Sequence, residues 1–172
     1  MPNQKWDISR LSAGERSALK RNAGVMMNMA SMKAIAAFYH AKIAVCKPEK
    51  LPFWFSALCM ECLWREADDS KPFPEMLRSM YQSKEATEST KNRCIAFLDF
   101  VWSNDGFLLG KICALARRMR SENPNVLPDF EALADDLERW NYADRHIQKK
   151  WLLIICGDRE NPPKEEEKKR AD

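Results

Sequence analysis

Apolar residues recur every three or four positions along most of the chain, which is the spacing of helices with one buried face. No stretch alternates apolar and polar residues in the way a half-buried strand does. The pattern therefore predicts an all-α protein of about eight helices without strands. The predicted helices cover about residues 13–23, 28–45, 53–66, 74–82, 90–103, 105–121, 129–141 and 143–156.

The first of these helices has the clearest start. Ser12 followed three positions later by Glu15 is a capping box, so the helix should begin near Ala13 and end before Gly24. At about 100° per residue, its polar face of roughly 140° excludes Ala18 and Leu19. That outward face carries three cations, and we interpret it as a surface for nucleic-acid phosphates.

The helices divide into two predicted bundles, residues 1–84 and 90–157, joined by the polar segment 83–90. The apolar helix over 53–66 is expected to lie at the centre of the first bundle. Residues 1–10 are expected to be a loose arm, unless Trp6 and Ile8 attach it to the core, and the charged residues 158–172 are expected to be a disordered tail. The second helix has an apolar repeat that we expect in the core: Met29, Met32, Ile35, Ala36, Tyr39 and Ile43.

Composition supports a helical globule. The chain has 172 residues, 45% of them hydrophobic, and only five glycines. The formal net charge of +3 is too small to indicate nucleic-acid binding by itself. Its distribution is uneven, because residues 1–50 hold nine basic and three acidic side chains and residues 91–120 hold six and two. Two basic blocks thus flank an acidic one, which fits either a local positive field or chance clustering on solvated faces.

Few residues suggest catalysis or metal binding. His40 and His146 are the only histidines, and neither belongs to a recognisable nucleophile or metal pattern. Cys59 and Cys62 have redox-motif spacing but lie in an apolar helix, where buried thiols are the preferred interpretation. Only His40 and Cys46 offer further ligands for a zinc ion. We therefore expect no enzyme activity, no cofactor and no metal.

Cysteine usage and the N-terminal residues also bear on location. The six cysteines mostly lie among apolar residues, and no apolar signal segment precedes them. The longest apolar run, residues 51–64, is too short to span a bilayer. These features predict a cytoplasmic protein with no membrane contact and no small-molecule substrate.

What recurs in the sequence is basic spacing on predicted helices. Each cluster alone fits an ordinary solvated face, but together they offer a track for a phosphodiester backbone. Aromatic residues are not interleaved with these charges in the sequence, so base stacking is not predicted. The candidate nucleic-acid-binding residues are Arg16, Lys20, Arg21, Lys91, Arg93, Lys111, Arg117, Arg118, Arg120, Arg145, Lys149 and Lys150.

Several of these segments resemble the CasB family, the small subunit of the type I-E CRISPR surveillance complex Cascade. The segment 14–23 is similar to the family's Gly-x-Arg-Ala-x-Leu-Arg-Arg stretch, and Ala37-Phe38-Tyr39 is similar to a small-aromatic segment. Residues 133–140 resemble the family's Leu-Leu-x-Asp-Leu-x-x-Trp motif, and residues 147–155 follow with Trp151. In order and spacing the resemblance covers roughly residues 11–156.

The resemblance implies a function as well as a fold. It implies an all-helical subunit, present in two copies within a ribonucleoprotein, that contacts guide RNA, target DNA and the displaced strand without cleaving them. Its other partners would be the backbone and large subunits of the complex. The alternative from a different class is a helical scaffold that binds only protein partners.

Overall fold

The computed structural model describes residues 4–157 and confirms an all-α protein. Four of the eight α-helices in this range have an N-cap side chain that accepts a backbone N–H: Ser12, Ser31, Thr87 and Asp129. Ser12 and Asp129 are the two that the sequence predicted. In chain order the eight α-helices of residues 4–157 are α1 (Ala13–Arg21), α2 (Met32–Ala41), α3 (Leu51–Glu61), α4 (Phe73–Tyr81), α5 (Glu88–Ala96), α6 (Phe107–Glu122), α7 (Phe130–Glu138) and α8 (His146–Cys156).

The expectation of no strands is wrong. Two short strands, β1 (Asp69–Lys71) and β2 (Val126–Pro128), pair in parallel, with Asp69 opposite Val126. All three residues of β1 are exposed, so the strand carries no alternation of apolar and polar side chains. A three-residue strand is too short for a period of two to be visible in a sequence. The pairing joins the loop before α4 to the loop before α7.

One buried hydrophobic cluster extends through both parts of the chain. Helix α3 packs against α7, and α4 packs against α8, so helices from residues 1–84 contact helices from residues 90–157. Helix α3 can take this central place because seven successive residues, 54–60, are buried on all sides of it. The division into two bundles stays a prediction, and the shared cluster is what the structure adds to it.

Aromatic rings fill the centre of the α4, α7 and α8 contact. Trp140 and Trp151 meet edge to face at 5.3 Å between ring centroids, and each is at most 1% exposed. Phe97 stacks on Trp140 at 6.0 Å, and Phe73 stacks on Trp151 at 5.6 Å. Buried rings in these geometries add to the stability that their area alone provides. The two predicted tryptophan positions of the C-terminal motif are therefore core residues.

The predicted apolar face of the second helix is wrong. Met29, Met32 and Tyr39 are 76%, 74% and 52% exposed, whereas the parallel repeat of Ala34, Ala37, Phe38 and Ala41 is buried. Both repeats have helical spacing, so periodicity could not choose between them. The alanine face is the buried one because small side chains let α2 approach α1 and α3 closely. The helix is also shorter than predicted, Met32–Ala41.

The N-terminal arm is attached to the core from residue 5 onward. Trp6 is 3% exposed, and its indole N–H donates to Glu61 Oε2 at 3.0 Å. The backbone N–H of Asp7 donates to the carbonyl of Ala41 at 2.9 Å. The expectation of a loose arm is therefore wrong for the described part of it. The predicted disordered tail, 158–172, lies outside the described residues.

Candidate nucleic-acid interface

The α1 face has the predicted geometry. Both hydrogen bonds of the capping box form: the Glu15 N–H donates to Ser12 Oγ at 3.1 Å and the Ser12 N–H donates to Glu15 Oε1 at 3.0 Å. The hydrogen bond from Ser12, followed by that from His40, lowers the pKa of the Glu15 carboxyl. Arg16, Lys20 and Arg21 are exposed. The cap therefore fixes the start of a helix that presents three cations to solvent.

The cations of α6 point in two directions. Lys111 and Arg118 are seven positions apart, so they project within about 20° of each other. Arg117 and Arg120 project about 120° and 180° away from Lys111 on the same helix. The Arg118 guanidinium also forms an ion pair with Glu122 at 2.9 Å. The predicted α6 cluster is thus two separate faces.

The Lys111 face borders a groove between α5 and α6 with a volume of about 720 Å³. Its described lining residues include no aspartate or glutamate. Of these lining residues, Phe100 and Phe107 are 37% and 51% exposed. The cationic and aromatic side chains of the lining are Arg93, Lys111, Arg118, Phe97, Phe100 and Phe107.

These aromatic side chains were missed by the sequence analysis. The fifth helix was predicted to continue to Ser103, but α5 ends at Ala96 and the chain passes through a 3-10 turn, Phe97–Asp99, into a loop. That early end places Phe100 at the mouth of the groove, next to the start of α6. Phe107 had a visible signal, because it precedes Lys111 by one helical turn. Lys111 Nζ lies 5.1 Å from the centroid of the Phe107 ring.

The α8 cluster is mostly engaged inside the protein. Arg145 Nη2 donates to the Leu98 carbonyl at 3.0 Å and contacts Asp99 Oδ1 at 3.1 Å. Lys150 Nζ lies 3.3 Å from Asp136 Oδ1. Asp136 is buried and also accepts the indole N–H of Trp151 at 2.7 Å. Lys150 is therefore partly used to hold α7 in place, and Arg145 to hold the 3-10 turn that follows α5.

A second, smaller groove of about 390 Å³ lies between α5 and α8. Arg145 and Lys149 line it, together with Asp99. Asn92 and Ala96 of α5 belong to the walls of both grooves. The two grooves are therefore neighbours on either side of α5, and five of the twelve candidate residues meet there: Arg93, Lys111, Arg118, Arg145 and Lys149.

The remaining candidates lie elsewhere. Lys91 projects about 160° away from Arg93 on α5, and its Nζ lies 5.9 Å from the Tyr81 ring centroid. Arg117 and Arg120 form the other α6 face, and Lys150 turns toward α7. The α1 trio lines neither of the two grooves. The structure thus brings together part of the predicted track and separates the rest.

The cysteine pair lies in the core. Burial raises the pKa of the Cys62 thiol to about 12 and that of the Cys59 thiol well above its usual value. Thiols held in the protonated form are poor nucleophiles and poor metal ligands. Within residues 4–157, no three His, Cys, Asp or Glu side chains are grouped so that they could hold a metal ion. None of the helices in this range has the length and apolar character needed to cross a bilayer.

Comparison with known proteins gives one match. The family model described as CRISPR-associated protein Cse2 matches residues 15–153, which is most of the chain. No curated protein and no solved structure matches the chain. The match confirms the resemblance found in the sequence, since CasB and Cse2 are two names for one family of Cascade subunits. The chain belongs to the Cse2 family of CRISPR-associated proteins.

Proposed function

We propose that this protein is a non-catalytic small subunit of a type I-E CRISPR effector complex that holds nucleic-acid backbones in antiviral defence. Its cationic helix faces bind phosphates of the guide RNA and target DNA, and they stabilise the R-loop and its displaced strand. Sequence is read by base pairing in such complexes, so the protein subunit needs only backbone and shape contacts.

One observation carries this proposal. The groove between α5 and α6 has three cations in its lining and no carboxylate among its described lining residues. Arg93 and Lys111 form no ion pair with any residue of the described range 4–157. Cations that are not neutralised within the protein remain available to neutralise a polyanion.

The mechanism is electrostatic. A strand that lies along α5 would meet Arg93, Lys111 and Arg118 in one groove and Lys149 in the next. Each phosphate contact releases condensed counterions, so binding weakens steeply as salt concentration rises. The α1 trio offers a second contact surface on the same molecule. No bond is made or broken in this process.

Assembly with other subunits is a further part of the proposal. We infer that the exposed apolar side chains of α2 and of the segments on either side of it contact protein, either a second copy of this chain or a backbone or large subunit. Met29, Met32 and Val45 are 76%, 74% and 97% exposed, and an apolar surface of this kind is typical of protein interfaces. The same surface is the observation that favours the alternative function, a scaffold that binds only proteins.

Salt-dependent binding separates the two functions. We expect the full-length protein to bind a fluorescent single-stranded DNA with an affinity that falls steeply with salt. Lys111→Glu together with Arg93→Glu should lower that affinity at least about tenfold and reduce the slope of log K against log salt. Each single change, Lys111→Glu or Arg93→Glu, is compared with Lys33→Glu, an exposed change of equal charge on α2, as its matched control.

The result that rejects the proposal is equally specific. Binding that is absent at low salt, or equally reduced by the Lys33→Glu control, would favour the protein scaffold. In that case Met32→Ser and Tyr39→Ser should reduce co-purification with the other subunits of the effector complex. The double groove variant would leave that co-purification unchanged.

A further inference from the structure

We propose that the groove between α5 and α6 holds an unpaired nucleotide, with its base against Phe107 and Phe100 and its phosphates on Arg93 and Lys111. This inference rests on the proposed function and makes it more specific, since it adds base contact to backbone contact. The ligand class is a single strand, because a base inside a duplex has no free face to offer.

The two phenylalanines form an open apolar platform. Their ring centroids are 4.8 Å apart and their planes are 88° apart, so one ring edge meets the other ring face. The pair is only partly covered by the protein, with Phe100 37% and Phe107 51% exposed. A nucleobase that covers such a ring removes apolar surface from water and gains stacking energy.

The platform is held in place by the backbone around it. Asp105 Oδ1 accepts the Phe107 N–H at 2.9 Å and the Ser103 hydroxyl at 2.6 Å. These hydrogen bonds, with that from Ser103 as the larger cause, lower the pKa of the Asp105 carboxyl. The Phe100 carbonyl accepts the indole N–H of Trp140 at 2.9 Å. Both rings therefore start from fixed backbone positions, which lowers the entropy cost of binding.

The middle of this loop is attached to the segment between α7 and α8. The Trp102 N–H donates to Asn141 Oδ1 at 2.8 Å, and Asn141 Nδ2 donates back to the Trp102 carbonyl at 2.8 Å. Gly106 adopts φ of +71°, and a Cβ there would lie 3.1 Å from Met26 Cγ. The turn into α6 is thus specified by the residues around it, although it exposes two phenylalanines.

Charge favours a nucleic-acid strand over a protein segment as the occupant. Three cations border the groove and no described lining residue is acidic. Lys111 Nζ lies over the Phe107 ring, 5.1 Å from its centroid, so a base that stacks on this face displaces the ammonium toward its own phosphate. Asn92, at the wall shared with the α5–α8 groove, adds an amide that can hydrogen-bond to a base edge.

The test compares two strands that differ only in their bases. The probes are fluorescent oligo-dT and an abasic oligonucleotide with the same number of phosphates, each titrated with full-length protein. We expect tighter binding of oligo-dT by about tenfold, the size of one stacking contact. Phe107→Ala should remove this preference and leave binding of the abasic strand unchanged, and Phe107→Trp should retain it.

Controls separate this inference from the proposed function. Tyr39→Ala removes an aromatic ring of similar exposure on α2, and it should leave the preference intact. Lys111→Glu should weaken binding of both strands. Equal affinity of the wild-type protein for the two strands, or a preference that survives Phe107→Ala, would overturn the base contact while the electrostatic function stands.

Two further outcomes would also overturn the inference. Failure of both strands to bind at any salt concentration would reject the proposed function and the base contact together. Binding of an acidic peptide that competes with neither strand, combined with no effect of Phe107→Ala on the strands, would assign the groove to a protein partner. Phe107→Leu keeps an apolar side chain at the position but removes the ring, so it tests whether the preference for oligo-dT depends on the ring itself.

Discussion

The α7–α8 junction and the α5–α6 groove contain the same kinds of side chain in opposite situations. In the junction, Trp140 and Trp151 are at most 1% exposed, and Lys150 pairs with the buried carboxylate of Asp136. In the groove, Phe107 is 51% exposed and Lys111 forms no ion pair with any described residue. Aromatic rings and cations thus hold the fold together in one region and stay exposed to solvent in the other.

The difference shows that the spacing of cations on a helix does not by itself indicate whether they are paired within the protein. Arg145, Lys149 and Lys150 have the same spacing as Arg16, Lys20 and Arg21. Two of the α8 cations are nevertheless used on Asp99 and Asp136, whereas the α1 cations form no ion pair within residues 4–157. The carboxylates that decide this come from other elements, so local spacing does not reveal them.

The largest expected effect separates the two regions by stability. Trp151→Ala removes a fully buried ring and the hydrogen bond to Asp136, and it should lower the free energy of unfolding by about 3 to 5 kcal/mol. Phe107→Ala should cost less than about 1 kcal/mol, because half of that side chain is already in water. Urea denaturation of both variants measures the contrast. Equal losses would mean that the groove ring is a core residue.

A partly buried carboxylate that forms no ion pair with any described residue, Glu61, sharpens the contrast with Asp136. Burial, followed by the charges of Glu131 and Asp129, raises the pKa of Glu61 to about 7, although the hydrogen bond from Trp6 opposes this. The folded state thus keeps a proton that the unfolded state loses at lower pH. Stability should therefore fall as pH rises through the window from the usual glutamate pKa of 4.5 to about 7.

Glu61→Gln tests this directly, because glutamine keeps an acceptor for the Trp6 indole and cannot ionise. Relative to wild type, the variant should gain about 2 to 3 kcal/mol between about pH 5 and about pH 8. Thermal unfolding at a series of pH values measures the change. Parallel pH profiles for the two proteins would show that Glu61 stays charged in the folded state.

The smallest effect concerns paired and unpaired lysines. Lys150→Glu places a like charge beside Asp136 and should destabilise the protein by about 1 kcal/mol, since the lysine side chain is half exposed. Lys111→Glu should change stability by less than about 0.5 kcal/mol. The order should reverse for binding of single-stranded DNA, which only Lys111→Glu is expected to weaken strongly. Matching effects on both properties would remove the distinction between the two regions.

Local rules predicted the parts of the fold that depend on local chemistry. The capping residues Ser12 and Asp129 mark helix starts because their side chains bond to backbone three positions away. The stripe of α7, including Leu133 and Leu137, is buried as expected. The face of α2 was not predictable, because two apolar repeats compete and only contact with α1 and α3 selects the alanines.

The candidate site was predictable in its charges and not in its shape. Arg93 and Lys111 were named from the sequence, but their groove exists only because α5 ends at Ala96. The loop that follows is held by hydrogen bonds from Trp140 and Asn141, about forty positions away in the chain. The β1–β2 pairing was missed for a similar reason, since its partners are far apart in sequence and only three residues long.

The contact between α3 and α7 has a consequence for how the protein is made. Helix α3 is apolar on every side, yet the helix that covers it is among the last to leave the ribosome. During synthesis, the most hydrophobic helix of the nascent chain, α3, is therefore exposed to water until α7 has been made. We expect chains that terminate before Phe130 to aggregate. The completed chain should not aggregate in this way, because α7 then packs against α3.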